Sequence, residues 1–157
     1  MTRLCLILLL TLLPALAQAA PIPVKVVVVT MFETGEDSGD KAGEFQRWNE
    51  RQKLATVFPA PHMHHDIHLN ADTGVLGIVT GMGTANAAAS VMALGLDPRF
   101  DLSKAYWLVA GISGFDPADA SLGSVAWAEY LVDGDLAHEI DAREIPSDWQ
   151  TGYFPLF

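Results

Sequence analysis

Cysteine is almost absent: Cys5 is the only one in 157 residues. It falls inside an apolar leader, so the rest of the chain has no thiol, and disulfides are excluded as a source of stability. Basic residues are scarce as well. Nine Lys and Arg stand against 19 Asp and Glu, a formal net charge of −10, which repels a phosphate backbone or an anionic lipid surface and argues against nucleic acid as a partner. No apolar run approaches the ~20 residues that a membrane-spanning helix requires, so no transmembrane span is expected in the mature chain. Internal repeats and low-complexity tracts are missing too. What remains, 50% hydrophobic residues and 13 glycines, suffices for one ordinary domain that relies on its buried core.

Residues 1–19 read as a secretory signal. Arg3 supplies a positive start, residues 4–13 form an apolar stretch interrupted only by Thr11, and Pro14 precedes a small-x-small site at Ala17-Gln18-Ala19. Cys5 lies away from the cleavage point, which argues against a lipid anchor. The protein is therefore expected to be exported, periplasmic or secreted, with residues 20–157 as its folded part.

The stretch around which that part is organised is 75–94. Val75, Leu76, Ile78 and Val79 read as a buried strand, Gly81-Met82-Gly83-Thr84 as a glycine-spaced turn, and 85–94 as a helix of small residues. Glycines let the backbone approach a ligand closely, and the first N–H groups of the following helix point outward at it. The same order could also be a tight structural turn, since Asn86 stands where a dinucleotide fingerprint has its third glycine.

Four consecutive valines at 26–29 predict a strand over 24–31 buried on both faces, as in the centre of a parallel α/β sheet. Residues 32–43 read as a polar loop containing Glu33. Residues 44–55 read as a helix with Phe45 and Trp48 on one face and basic residues toward its end. His62, His64, His65 and His68 follow. Zinc is conceivable there, but no cysteine or clearly spaced carboxylate completes a set, so a surface-loop cluster is the preferred reading and no metal is expected. A polar turn at 70–74 between apolar runs predicts a hairpin. Residues 105–110 read as a buried strand ending in Gly111-Ile112-Ser113-Gly114, and 123–132 as a further strand followed by a turn at 133–135. Trp107 and Trp127 are expected in the core. His138, Glu139 and Asp141 could pair in acid–base work or simply mark a solvated turn.

The fold class expected is thus α/β, a mostly parallel twisted sheet with flanking helices. In such a sheet the loops after Met31, Thr80 and Ala110 meet at the carboxyl edge, where ligands bind.

The run from Val79 to Ala88, with Tyr106 to Gly114 and Leu122-Gly123-Ser124, resembles the N-terminal half of the nucleoside phosphorylase and nucleosidase superfamily. Residues 23–48 and 95–141 resemble the purine nucleoside permease family more closely. The resemblance implies a phosphorylase-like fold and an exported protein that binds a purine nucleoside in the course of its uptake. It places Gly81, Gly83 and Thr84 near the ribose or anion site, and Gly111, Ser113, Gly114 and Phe115 at the nucleobase. Asn86 is a further candidate ligand contact, and Glu33, at a strand end, could orient a ligand hydroxyl or be a solvated loop acid. No residue is assigned a catalytic role, and no cofactor is expected. Phosphate as a co-substrate is weakly supported, because neither the Met31-Phe32-Glu33 junction nor the Gly81 turn carries the arginine that clamps it in phosphorylases. The alternative function is a purine nucleosidase or phosphorylase that cleaves the N-glycosidic bond, or an inactive fragment of one. In the superfamily the acid that protonates the leaving purine lies in the C-terminal half, and the chain is expected to be the N-terminal part of a longer protein. A homo-oligomer or an uptake-system partner is compatible with this role.

Overall fold

The organising strand is the valine run. In a computed structural model describing residues 19–132 and 143–149, β2 (Val26–Thr30) has Val27, Val28, Val29 and Thr30 all buried. A strand buried on both faces needs neighbours at both edges and cover above and below. Its neighbours are β5 (Val75–Val79) and β7 (Tyr106–Val109), both parallel to it, with Val28 opposite Gly77 on one side and Leu108 on the other. Beyond β5 lie β4 (Ile67–Asn70) and then β3 (Thr56–Phe58), giving the order β3-β4-β5-β2-β7. A separate parallel pair joins β1 (Ile22–Pro23) to β6 (Phe100–Asp101).

The five-stranded sheet is mixed, which corrects the expectation of a mostly parallel one: β3 and β4 pair antiparallel, as do β4 and β5. The cause is the hairpin turn predicted at 70–74. Asn70 Oδ1 accepts from the N–H groups of Asp72 and Thr73, Gly74 N–H donates to Asn70 O, and Gly74 takes a φ of 73° that closes the turn. So short a connection can only reverse the chain.

One face of the sheet carries Val27, Val29, Ile67, Leu69, Leu76 and Ile78, packed with Leu94 and Phe100. Leu94 belongs to α2 (Thr84–Gly95), which turns Ser90 and Leu94, four residues apart, inward. The other face is covered by Phe45, Leu54 and the short helix α1 (Gln46–Gln52) between them. This helix is shorter than the expected 44–55, because Lys53 adopts a left-handed φ of 53° and ends it. Gly77 lies beneath. A Cβ there would come within 2.7 Å of both Leu54 Cδ1 and Phe45 Cε2, so the missing side chain lets this layer approach the sheet.

The loop before α1 is drawn in by Glu33. Its carboxylate accepts the N–H of Thr34 at 2.7 Å and those of Gly43 and Gln46. Burial pushes its pKa up, but the hydrogen bonds from Thr34, Gly43, Gln46 and Phe45 outweigh this and hold it below the usual carboxylate value.

Strand β7 differs from its expectation. Its backbone pairs with β2, yet Tyr106 is 81% and Val109 66% exposed, and Trp107 is also exposed. Among the described residues it is an edge strand, not a buried one. The chain divides at Gly114. In the second unit, 123–132 is neither strand nor core, with Trp127, Tyr130 and Leu131 exposed. An apolar run becomes a strand only when a neighbour satisfies its backbone groups, and no described residue pairs with it. Residues 1–18 of the expected signal at 1–19, the turn at 133–135 and His138, Glu139 and Asp141 lie outside the described residues.

Two outcomes follow from this packing. Gly77→Ala should overpack the Phe45–Leu54 layer and cost about 1–3 kcal/mol in chemical denaturation, and adding Leu54→Ala should recover part of the loss if the clash is the cause. For Glu33, a folded pKa below its unfolded value means stability present above the ordinary carboxylate range and lost as pH falls through the folded pKa. Glu33→Gln should therefore lower Tm at pH 7 and flatten the decline in Tm seen on acidification below about pH 4.5.

Candidate functional site

The parallel strands β2, β5 and β7 end side by side. Thr80 N–H donates to Thr30 O and Ala110 N–H to Val29 O, both at 2.8 Å. The turn from Gly81 and the loop from Gly111 therefore leave the sheet on either side of Met31, at the edge where the sequence places a ligand site.

At the β5 end the geometry is set by hydroxyls. Thr30 Oγ1 donates to Ile78 O at 3.0 Å, and Ser90 Oγ, buried on α2, donates to Thr80 O at 3.0 Å. Ser90 Oγ also accepts the N–H of His64 at 3.3 Å. One side chain thus ties the helix, the strand end and the histidine segment together. Gly81 (φ 80°) and Gly83 (φ 86°) both occupy the region that favours glycine. Above Gly81 a Cβ would lie 2.9 Å from the His64 ring, whereas Gly83 faces open space. Gly83 caps α2 with no side-chain hydrogen bond, and Thr84, Ala85 and Asn86 are exposed in its first turn. Asn86 Nδ2 donates back to Met82 O at 2.8 Å, which braces the turn from within.

At the β7 end the approach is closer. A Cβ on Gly111 would strike the Glu44 carboxylate and Met31 Sδ. Glu44 reaches this point from just before α1 and accepts Met31 N–H at 2.8 Å and the N–H of Ile112. Ile112 itself takes a φ of 49°, a strained conformation for a β-branched residue. Ser113 and Gly114 are exposed beyond it.

The structure thus brings Gly81 and Gly111 to one edge, with Gly83, Thr84 and Asn86 following the first and Ser113 and Gly114 the second. Phe115 begins the second unit and is exposed. Glu33 is placed differently from its suggested role, since its carboxylate is engaged by the backbone of its own loop. Glu44, the first residue of the helix expected over 44–55, is the carboxylate that spans two strand ends. Its signal was the position: an acid at the head of a helix that returns to a sheet edge.

A second cluster lies on the α1 side of the sheet. His68, expected in a surface loop, is on β4 and buried, while His65 is half-buried. His65 Nε2 lies 3.0 Å from Asp37 Oδ1, and His68 Nε2 lies 3.2 Å from Asp37 Oδ2. The Phe45 ring packs against both imidazoles, with centroids 5.7 and 5.2 Å away. Burial lowers the pKa of His68, against the opposing pull of the Asp37 charge. These three side chains and His64 line an open cleft of about 510 Å³. The sequence did not reveal the set because Asp37 comes from a loop remote in the chain. Arg99 is paired with Asp97 at 2.6 Å and covers the rings of Phe58 and Phe100.

Among the described residues no helix is long and apolar enough to cross a membrane. No solved structure matches the chain. A probable purine nucleoside permease of Schizosaccharomyces pombe is 43% identical over 96 residues, 61% of this chain and 28% of the relative. A purine nucleoside permease of Candida albicans is 36% identical over 134 residues, 83% of this chain and 32% of the relative. The chain thus spans about a third or less of the length of the curated relatives it matches. The family model described as purine nucleoside permease matches residues 23–157, most of the chain, and on that match the chain belongs to the purine nucleoside permease family.

Proposed function

We propose that this chain is the nucleoside-recognising part of an exported protein that takes part in purine nucleoside uptake, with residues 1–19 removed on export and a fold of the nucleoside phosphorylase kind. The observation that carries the reading is the paired glycine loops at the carboxyl edge of β2, β5 and β7, the place where open α/β sheets hold their ligands. A purine nucleoside offers hydroxyls at one end and a flat base at the other. The Gly81–Thr84 turn presents backbone donors suited to the hydroxyls, and the Gly111–Gly114 loop presents exposed backbone suited to the base. Family membership supports the ligand class, and the names of the relatives support a part in transport.

Binding, not cleavage, is the activity proposed. Bond cleavage needs an acid placed at the leaving purine, and Glu44, a carboxylate at this edge, is held by two backbone N–H groups. The purified chain should bind inosine or adenosine reversibly in equilibrium dialysis and return it intact by chromatography, with or without phosphate. Ser113→Ala and Thr84→Ala should each weaken binding by about threefold to tenfold, the loss of one hydrogen bond. Release of hypoxanthine or adenine, or retention of full affinity by both variants, would overturn the reading.

A further inference from the structure

We infer that Asp37, His65 and His68 form a binding site for a divalent transition-metal ion of the zinc type. The three come from separate segments: the loop after β2, the loop after β3, and β4. They offer ligand atoms that all lie within 4.8 Å of one another. Zinc bonds of about 2.0–2.1 Å at tetrahedral angles put neighbouring ligand atoms roughly 3.3 Å apart. The Nε2–carboxylate separations of 3.0 and 3.2 Å are close to that spacing.

Hydrogen bonding gives the stronger argument. His65 Nδ1 lies 2.9 Å from Asp66 O, and a carbonyl oxygen only accepts, so Nδ1 carries the hydrogen. His68 Nδ1 lies 3.2 Å from Asn49 Oδ1. The amide of Asn49 is oriented by its own Nδ2, which donates to Asp37 O at 2.9 Å, so its oxygen faces His68 and again only accepts. In its neutral form each ring therefore presents its Nε2 lone pair to the Asp37 carboxylate, an arrangement that a cation bound between the three completes. The partners behind the rings, a backbone carbonyl and a side-chain amide, are of the kind that orient metal-binding histidines.

Two histidines and one carboxylate match the borderline preferences of zinc and leave coordination positions open. Those positions face the cleft of about 510 Å³ that His64 also lines, where water or a ligand atom could complete the set. Phe45 shields the rings from the other direction. The assignment does not depend on the nucleoside reading.

The test is metal binding by the purified chain. After chelator treatment and dialysis, ZnCl2 titrated calorimetrically should bind at one equivalent, confirmed by elemental analysis, and Co2+ in its place should give visible absorption bands of low coordination number. His65→Ala and Asp37→Asn, at half-exposed positions, should each weaken binding by at least about tenfold, and Asn49→Ala by about 10–100-fold. His62→Ala, exposed and outside the cluster, should change nothing. Circular dichroism melts would verify that each variant is folded. Failure of the folded wild-type chain to bind zinc would overturn the site. Binding unaltered by both His65→Ala and Asp37→Asn would place the metal elsewhere and overturn it equally.

Discussion

Much of the structure depends on an absent side chain at Gly77. It sits in the middle of β5, opposite Val28 on one side and His68 on the other, so all three residues share one face of the sheet. Because nothing projects from Gly77, Phe45 and Leu54 settle directly onto the strand, and α1 follows between them. That closeness carries Phe45 against His65 and His68, sets Asn49 within hydrogen-bonding range of His68, and lets Asn49 hold the backbone of Asp37. A glycine inside a strand ordinarily weakens it. Here the local weakness is offset by the layer it admits, and the geometry of the histidine cluster is inherited from that contact.

The same layer reaches the carboxyl edge. Glu44 immediately precedes Phe45, so once Phe45 is fixed over Gly77 the carboxylate of Glu44 falls at the ends of β2 and β7 and joins their backbones. Ser90 does the corresponding work from the opposite face, joining α2 to the end of β5 and to His64. Ser90 on α2 and Glu44 just ahead of α1, on opposite faces, therefore fix the two glycine loops. Loops held in this way retain a defined backbone shape at a site that would otherwise be the most mobile part of the sheet.

What could be read from the sequence followed from local rules. The valine run announced a strand buried on both faces, Asn70 to Gly74 announced a hairpin, and Gly81 to Thr84 announced a strand-to-helix turn, because each signal is complete within a few residues. The relation between strands was less legible. The hairpin already required β4 to run antiparallel, but the parallel pattern of β2 dominated the expectation for the whole sheet. Burial of Trp107 and Trp127 was misjudged because apolar character states a preference for cover, whereas cover itself depends on what packs alongside. His68 was misjudged for a related reason: His62, His64, His65 and His68 were visible as a cluster, but the carboxylate that joins His65 and His68 comes from a polar loop before α1, and the packing of Phe45 over Gly77 brings the two segments together.

The two candidate sites are chemical opposites joined through the histidine segment. The Gly81 turn exposes the first turn of α2, whose backbone is rich in hydrogen-bond donors and carries the positive end of the helix dipole. Asp37, His65 and His68 face one another as acceptors. His64 stands between these regimes, with its ring over Gly81, its N–H on Ser90 and its side chain on the wall of the cleft. In a chain with a formal net charge of −10, an acceptor-only cluster sits in a field that attracts cations, while a neutral ligand bearing hydroxyls is not repelled from the donor-rich turn. On the proposed reading, this edge therefore suits a neutral nucleoside better than a free phosphate, which the charge of this chain would repel. That preference agrees with recognition of an intact nucleoside rather than with phosphorolysis.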